Sequence, residues 1–244
     1  MKKFLVVGAA ALAFLAAGCG GGDDANSTAP AAELKAIPAP NGDWTQVVGE
    51  TAEGGFRMGN PNAPVKLVEY ASLSCPYCAK FEQEGVPTLR DKYVRSGQVS
   101  WEFRTYMNHP TDPAVNALVH CQGAGPFFAL AEQLFATQEQ WYGRVVATPP
   151  EQLEQLQSLP PAQRSAAIAR LAGFEQFFRE RGMPSSKYNA CLADDAVLTK
   201  VARLTDLGNK DGINGTPNFM INGKLLPQAS SWATLEPELR AAIP

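Results

Sequence analysis

Between Gly54 and Tyr106 the apolar positions fall into short runs. "GGFRMG" and "APVKLVEYAS" read as strands, the second carrying Val65, Leu67, Val68 and Tyr70. "QVSWEFRTYM" sets Val99, Trp101 and Phe103 alternately against polar neighbours, which predicts another strand. Between these two, "CPYCAKFEQEGVPTLRDKY" has helical character, interrupted near Gly85 and Pro87. For about ninety residues the spacing then turns helical throughout. "DPAVNALVHCQ" opens that block, with Asp112 as an N-terminal cap and Pro113 at the first helical position. "FFALAEQLFATQ", "EQLEQLQS", "PAQRSAAIARLAG", "FEQFFRER", "SKYNACLA" and "DAVLTKVARLTDLGNK" continue it. The chain returns to strands in "TPNFMI" and "KLL", joined by Asn222-Gly223, the dipeptide of a two-residue hairpin turn. A last helix runs from about Ser231 to Ala242, and no internal repeat is present.

Removing the helical block leaves a small α/β domain, so the economical architecture is an α/β fold with a helical insertion. The expected boundaries are 43–110 for the first part of the α/β domain, 111–208 for the insertion and 209–244 for the second part. The 244 residues, 45% of them hydrophobic, suit one domain of about 200 residues plus extensions. A net charge of −3 offers no basic stripe to nucleic acid.

The extension lies at the N-terminus. "MKKFLVVGAAALAFLAAGC" has two lysines, an apolar run from Phe4 to Ala17 and small residues before Cys19. These are the parts of a secretory signal, here residues 1–18, and the run is short for a membrane span. "LAAGC" resembles the lipobox of bacterial lipoproteins, which implies a lipidated Cys19 anchoring the chain to a membrane. The alternative is ordinary cleavage after a small residue. Residues 19–42 are rich in Gly, Ala, Pro and small polar residues and read as a flexible tether, about 25–30 Å long on average. An exported chain works where disulfides form and persist.

That setting gives meaning to the five cysteines. In "SLSCPYCAKF", Cys75 stands where a strand ends and a helix begins, and Pro76 suits the first helical turn. A thiol there faces unpaired N–H groups and the positive end of the helix dipole, both of which favour thiolate. Thiolate is the attacking species in disulfide exchange, so Cys75 is the candidate nucleophile and Cys78, one turn on, the resolving thiol. A structural zinc site would need about four N/S ligands. Cys121 and Cys191 are isolated and the only histidines are His109 and His120, so no metal site is expected.

"VKLVEYASLSCPYCAKF" resembles the active-site segment of the thioredoxin superfamily, in particular its DsbA-like thiol:disulfide oxidoreductases. "GINGTPNFMINGKLL" resembles that superfamily's second hallmark, a strand preceded by a cis-proline, and the helical insertion is the DsbA-like arrangement. The resemblance runs from about Gly59 to Pro244. It implies a thioredoxin fold with Cys75 and Cys78 as the redox pair, and no organic or metal cofactor. Pro217 takes the cis-proline position, with Thr216 before it offering its backbone to an extended substrate chain. Glu69 matches a buried acid behind the cysteines, able to relay a proton when Cys78 attacks. A solvent-facing strand glutamate is the competing reading, and Arg104 and Lys80 are candidate partners for it. The dipeptide Pro76-Tyr77 departs from the Pro-His of strongly oxidising members, and tyrosine supplies no charge beside the thiolate.

The resemblance implies an exported, periplasm-facing and membrane-anchored oxidoreductase. It would act as a dithiol oxidase on exported proteins and be recharged by a membrane redox partner. The alternatives are a reductase or isomerase using the reduced pair, or a thioredoxin-fold lipoprotein that only binds. The short tether leaves no room for a dimerisation domain, so a monomer is expected. Cys121 and Cys191 both fall on predicted helices; their number and compartment point to a second disulfide, with two separate buried thiols as the alternative. Some DsbA-like proteins similarly carry an extra disulfide there. His109 reads as a solvated loop residue and His120 as packed or exposed on a helix. The aromatics of "GPFFALAEQLF" and "GFEQFFRER" read as core.

Overall fold

The alternation in "VKLVEYA" becomes the strand around which everything else is arranged. The computed structural model describes residues 34–244, so the signal segment and Cys19 lie outside the described residues. Three strands come first: β1 (Val48–Glu50), β2 (Phe56–Met58) and β3 (Val65–Ala71). Two helices, α1 (Pro76–Glu84) and α2 (Val86–Thr88), lead to β4 (Val99–Thr105). The helical block is α3 (Asp112–His120), α4 (Ala124–Ala136), α5 (Gln138–Val146), α6 (Pro150–Gln157), α7 (Pro161–Ala172), α8 (Phe174–Arg179), α9 (Ser185–Leu192) and α10 (Asp195–Lys210). The hairpin β5 (Asn218–Ile221) and β6 (Lys224–Leu225) and the helix α11 (Trp232–Ala242) close the chain. Among the described residues no helix is long and apolar enough to cross a membrane.

The strands form one mixed sheet in the order β1-β2-β4-β3-β5-β6. β3 and β4 are parallel, with Glu69 opposite Phe103, while β5 runs antiparallel to β3, with Glu69 opposite Phe219. Successive side chains of a strand point to opposite faces. Glu69 therefore shares a face with Val65, Leu67 and Ala71, all buried. The hairpin turns at Asn222 and Gly223, whose φ values of 50° and 80° are the left-handed pair that a tight hairpin requires.

Aromatic side chains join the sheet to the helical block in one continuous core. Phe127 of α4 packs on Phe56 of β2 and Phe103 of β4, at ring-centroid distances of 4.3 and 5.1 Å. Phe128 meets Trp101 at 4.8 Å, and Trp141 of α5 meets Phe174 of α8 at 5.0 Å. Cys121, just beyond α3, and Cys191 of α9 are joined in a disulfide with Cα atoms 5.7 Å apart. α10 lies on the sheet at its C-terminal end, where Tyr70 donates to Asp211 at 2.6 Å and Tyr106 to Asn209 at 2.8 Å. A Cβ at Gly208 would stand 2.8 Å from Tyr106 and 3.1 Å from Tyr70. Overpacking of this kind costs about 1–3 kcal/mol, against about 1 kcal/mol regained from alanine's helix preference. Gly208→Ala is accordingly expected to lower the unfolding temperature by a few degrees, as thermal denaturation would show.

Several details differ from the sequence reading. The segment from Leu34 to Gly42, assigned to the tether, lies against the domain. Ile37 donates its N–H to Ser96 O at 2.8 Å, and Gln98 donates to Lys35 O at 2.5 Å. Trp44 Nε1 donates to Ile37 O at 2.8 Å, so the globular part begins before Asp43. β1 and α5 were not anticipated: β1 has three residues, and α5 follows α4 with only Thr137 between them. The break after α1 falls at Gly85, where a Cβ would meet Phe81 and Trp232 at 3.0 Å each. Beyond α2 the turns widen over Leu89–Val94 into a π-helical stretch. Asp112 is not the cap of α3. Thr111 holds that place, and the Asp112 side chain turns inward.

Candidate active site

Cys75 occupies the N-cap of α1 with extended backbone (φ −81°, ψ 123°), and Pro76 follows in the first turn. This junction arises because β3 ends at Ala71 and the loop Ser72–Ser74, fully buried, turns the chain into the helix. Cys75 and Cys78 are free thiols, 4% and 1% exposed. Tyr77 between them is 70% exposed and Pro76 is also at the surface. The peptide bond Thr216–Pro217 is cis, and Cys75 Sγ stands 3.3 Å from Thr216 O. Pro217 is buried and Thr216 half-buried.

The two thiols differ sharply in acidity. The hydrogen bond from Cys78 is the largest cause that draws the Cys75 pKa down to about 5; the backbone N–H groups of Cys78 and Tyr77 add to it, against the opposing effect of burial. Cys78 is pushed well above the ordinary thiol value, by burial first and then by Cys75. The pair therefore holds one thiolate and one thiol at neutral pH.

Glu69 is 2% exposed, and Trp101 Nε1 donates to its Oε2 at 2.9 Å. Burial, then the charge of Glu82, pushes its carboxyl well above the usual carboxylate range. The charge of Glu69 is among the causes that raise the Cys78 pKa, and the charge of Cys75 among those that raise that of Glu69. The proposed partners of Glu69 are engaged elsewhere. Arg104 pairs with Glu102 at 2.7 Å and Lys80 with Glu84 at 3.8 Å.

Three polar residues at the site carried no site role in the sequence reading. Gln138 of α5 donates to Leu73 O at 2.8 Å and to Cys75 O at 3.0 Å. Asp112, fully buried, accepts from Ser72 Oγ at 2.8 Å and Ser74 Oγ at 2.7 Å. Asn108 donates from Nδ2 to Thr216 Oγ1 at 3.1 Å. The serines of "SLSC" and an aspartate before proline were the available signals, but no local pattern connects segments so far apart. His109 borders this region, its Nδ1 3.4 Å from Tyr142 Oη. His120 is packed against Phe56, and burial pushes its pKa down to about 3.

A parallel β3–β4 pair, a dithiol at the start of the following helix and a cis-proline loop beside the first thiol define a thioredoxin-fold dithiol protein. Residues 51–240 match the thioredoxin family, and the chain belongs to it, with the helical insertion of its DsbA-like members. It is similar to a solved structure described as a protein-disulfide isomerase from Novosphingobium aromaticivorans: 34% identity, TM-score 0.74, covering 77% of this chain and 96% of that one. Wolbachia pipientis alpha-DsbA1 shares the fold at 20% identity and TM-score 0.61, covering 85% of this chain and 93% of that one. A Rickettsia felis protein named as a protein-disulfide oxidoreductase is 25% identical over 202 residues, which is 82% of this chain. The match covers 63% of the length of that relative.

Proposed function

We propose that this protein is an exported thiol:disulfide oxidoreductase working as a dithiol oxidase. The observation that carries the reading is the dithiol at the start of α1, with Cys75 Sγ 3.3 Å from the backbone oxygen of Thr216 before the cis Pro217. There the Cys75 pKa is drawn down to about 5, beside a buried Cys78 held above the ordinary thiol value. A thiolate stabilised to that degree favours the reduced pair, so the Cys75–Cys78 disulfide is inclined to be given away. A substrate thiolate attacks Cys75 Sγ of the disulfide. The S–S bond breaks, and the electron pair leaves on Cys78, which takes a proton. Glu69, a buried acid whose carboxyl burial holds well above the usual range, is the candidate to supply it. The substrate's second thiolate then attacks the substrate sulfur of the mixed disulfide and expels Cys75, which leaves readily because its pKa is low. The substrate has lost two electrons and the protein has gained them.

Regeneration requires an oxidant, which we assign to a membrane redox partner. The N-terminal signal and the lipobox-like Cys19 would hold the domain near that partner, on the periplasmic side. The names carried by the Rickettsia and Novosphingobium relatives support the same reaction class. One observation favours an isomerase or reductase instead: Tyr77 is exposed and brings no positive charge to the thiolate.

The test is a pH titration of the reduced protein by thiolate absorbance, alongside oxidation of a peptide dithiol by the disulfide form. The expected result is a midpoint near pH 5 and one disulfide transferred per protein. The sign of the stability effect follows. With its folded pKa depressed, Cys75 contributes to the reduced form's stability fully above its ordinary pKa of 9, and this is lost as the pH falls through about 5. The reduced protein should therefore unfold at a higher temperature than the oxidised one at pH 7, with the gap closing below pH 5. A midpoint above pH 8, or no transfer, contradicts the reading.

A further inference from the structure

The buried carboxylate of Asp112 has no part in the exchange steps above, yet its four hydrogen bonds connect the two loops that meet at the active site. Oδ1 accepts from Ser72 Oγ and Ser74 Oγ, at 2.8 and 2.7 Å, in the loop that ends at Cys75. Oδ2 accepts from the backbone N–H groups of Asn108 and His109, both at 2.9 Å. Asn108 in turn donates to Thr216 Oγ1 at 3.1 Å, and Thr216 O stands 3.3 Å from Cys75 Sγ. The path is a closed ring: Cys75, Ser74, Asp112, Asn108, Thr216 and back to Cys75. A carboxylate buried at 0% exposure is costly unless its lone pairs are met, and here four donors meet them. Capping α3 would not need this, because two of the donors come from residues 40 and 38 positions away.

We propose that Asp112 is a positioning residue that holds the Thr216 backbone in register with Cys75, so that a polypeptide paired to Thr216 presents its sulfur to the thiol. The inference rests on the oxidase reading above and concerns only substrates with a backbone. A small dithiol makes no use of Thr216, so it reports on Cys75 alone.

The experiment compares oxidation of a peptide dithiol with oxidation of dithiothreitol by the disulfide form of the full chain. Asp112→Ala is expected to slow the peptide reaction about tenfold, since small misplacements of a reacting pair have effects of that order or larger. The dithiothreitol rate should change by less than about twofold. Asp112→Asn can still accept from the backbone N–H groups and donate to the serines, and is expected to retain both rates. Asn108→Ala, at an exposed side chain, should shift the peptide rate in the same direction by less, and carries the test if Asp112→Ala does not fold. An unchanged ratio of the two rates in Asp112→Ala, or in Asn108→Ala when it stands alone, overturns the inference and leaves the oxidase reading intact. A wild-type protein that oxidises neither dithiol overturns both.

Discussion

Cys75→Ser is expected to leave a folded protein that has lost disulfide exchange by about a thousandfold or more. Serine fits the space at the start of α1, and the N–H groups of that turn remain available. What disappears is the sulfur itself: a hydroxyl forms no disulfide and is not ionised at neutral pH. Cys78→Ser should behave differently. Its Cys75 thiolate can still attack a disulfide, but nothing resolves the mixed disulfide, so the covalent adduct accumulates and can be seen by intact mass. The pair of variants assigns the roles. If Cys78→Ser loses the first attack while Cys75→Ser keeps it, the assignment is reversed. If both keep full exchange, the site is elsewhere and the protein is better read as a binder with this fold.

Removal of the second disulfide, by Cys121→Ala with Cys191→Ala, is expected to destabilise the protein without altering exchange at Cys75. The bond closes a loop with a sequence separation of 70. The chain-entropy relation gives roughly 4 kcal/mol for such a closure. In a domain of this size about 2–4 °C of unfolding temperature corresponds to each kcal/mol, so a drop of about 8–16 °C is expected. The bond ties the end of α3 to α9, and α3 packs on α4, α7, α9 and α10, so its loss loosens the helical block first. Calorimetry measures the drop, and the peptide-dithiol assay measures the activity. An unchanged unfolding temperature would mean that the unfolded chain is already constrained there by other means.

Most of the frame was legible in the sequence, because strands and helices announce themselves locally. The alternation at Val99, Trp101 and Phe103, the Asn222-Gly223 turn and the helical spacing after Asp112 each depend on neighbours a few residues apart. Glu69 was half legible. Its place in the alternation with Val65 and Leu67 puts it on the core face, but only the structure shows Trp101 donating to it. The site roles of Asp112, Asn108 and Gln138 were hidden for a physical reason: each depends on one or two hydrogen bonds that span at least 38 residues, and such bonds leave no period in a sequence. Asp112 was further disguised, since aspartate before proline at a helix start has a ready local explanation. Arg104 and Lys80 misled in the opposite sense. They were plausible partners for Glu69, but nearer carboxylates on their own elements claim them.

The central claim is that the Cys75–Cys78 pair is poised to give its disulfide away. The measurement that meets it most directly is the reduction potential of that pair. The purified protein would be equilibrated with graded glutathione buffers, and the state of Cys75–Cys78 followed separately from Cys121–Cys191 by mass-resolved thiol labelling. The acidity of Cys75 predicts a potential above about −200 mV, at which donation to most substrate dithiols is downhill. A value near or below about −250 mV would mean that the reduced pair is the working form, and a reductase would replace the oxidase proposed here.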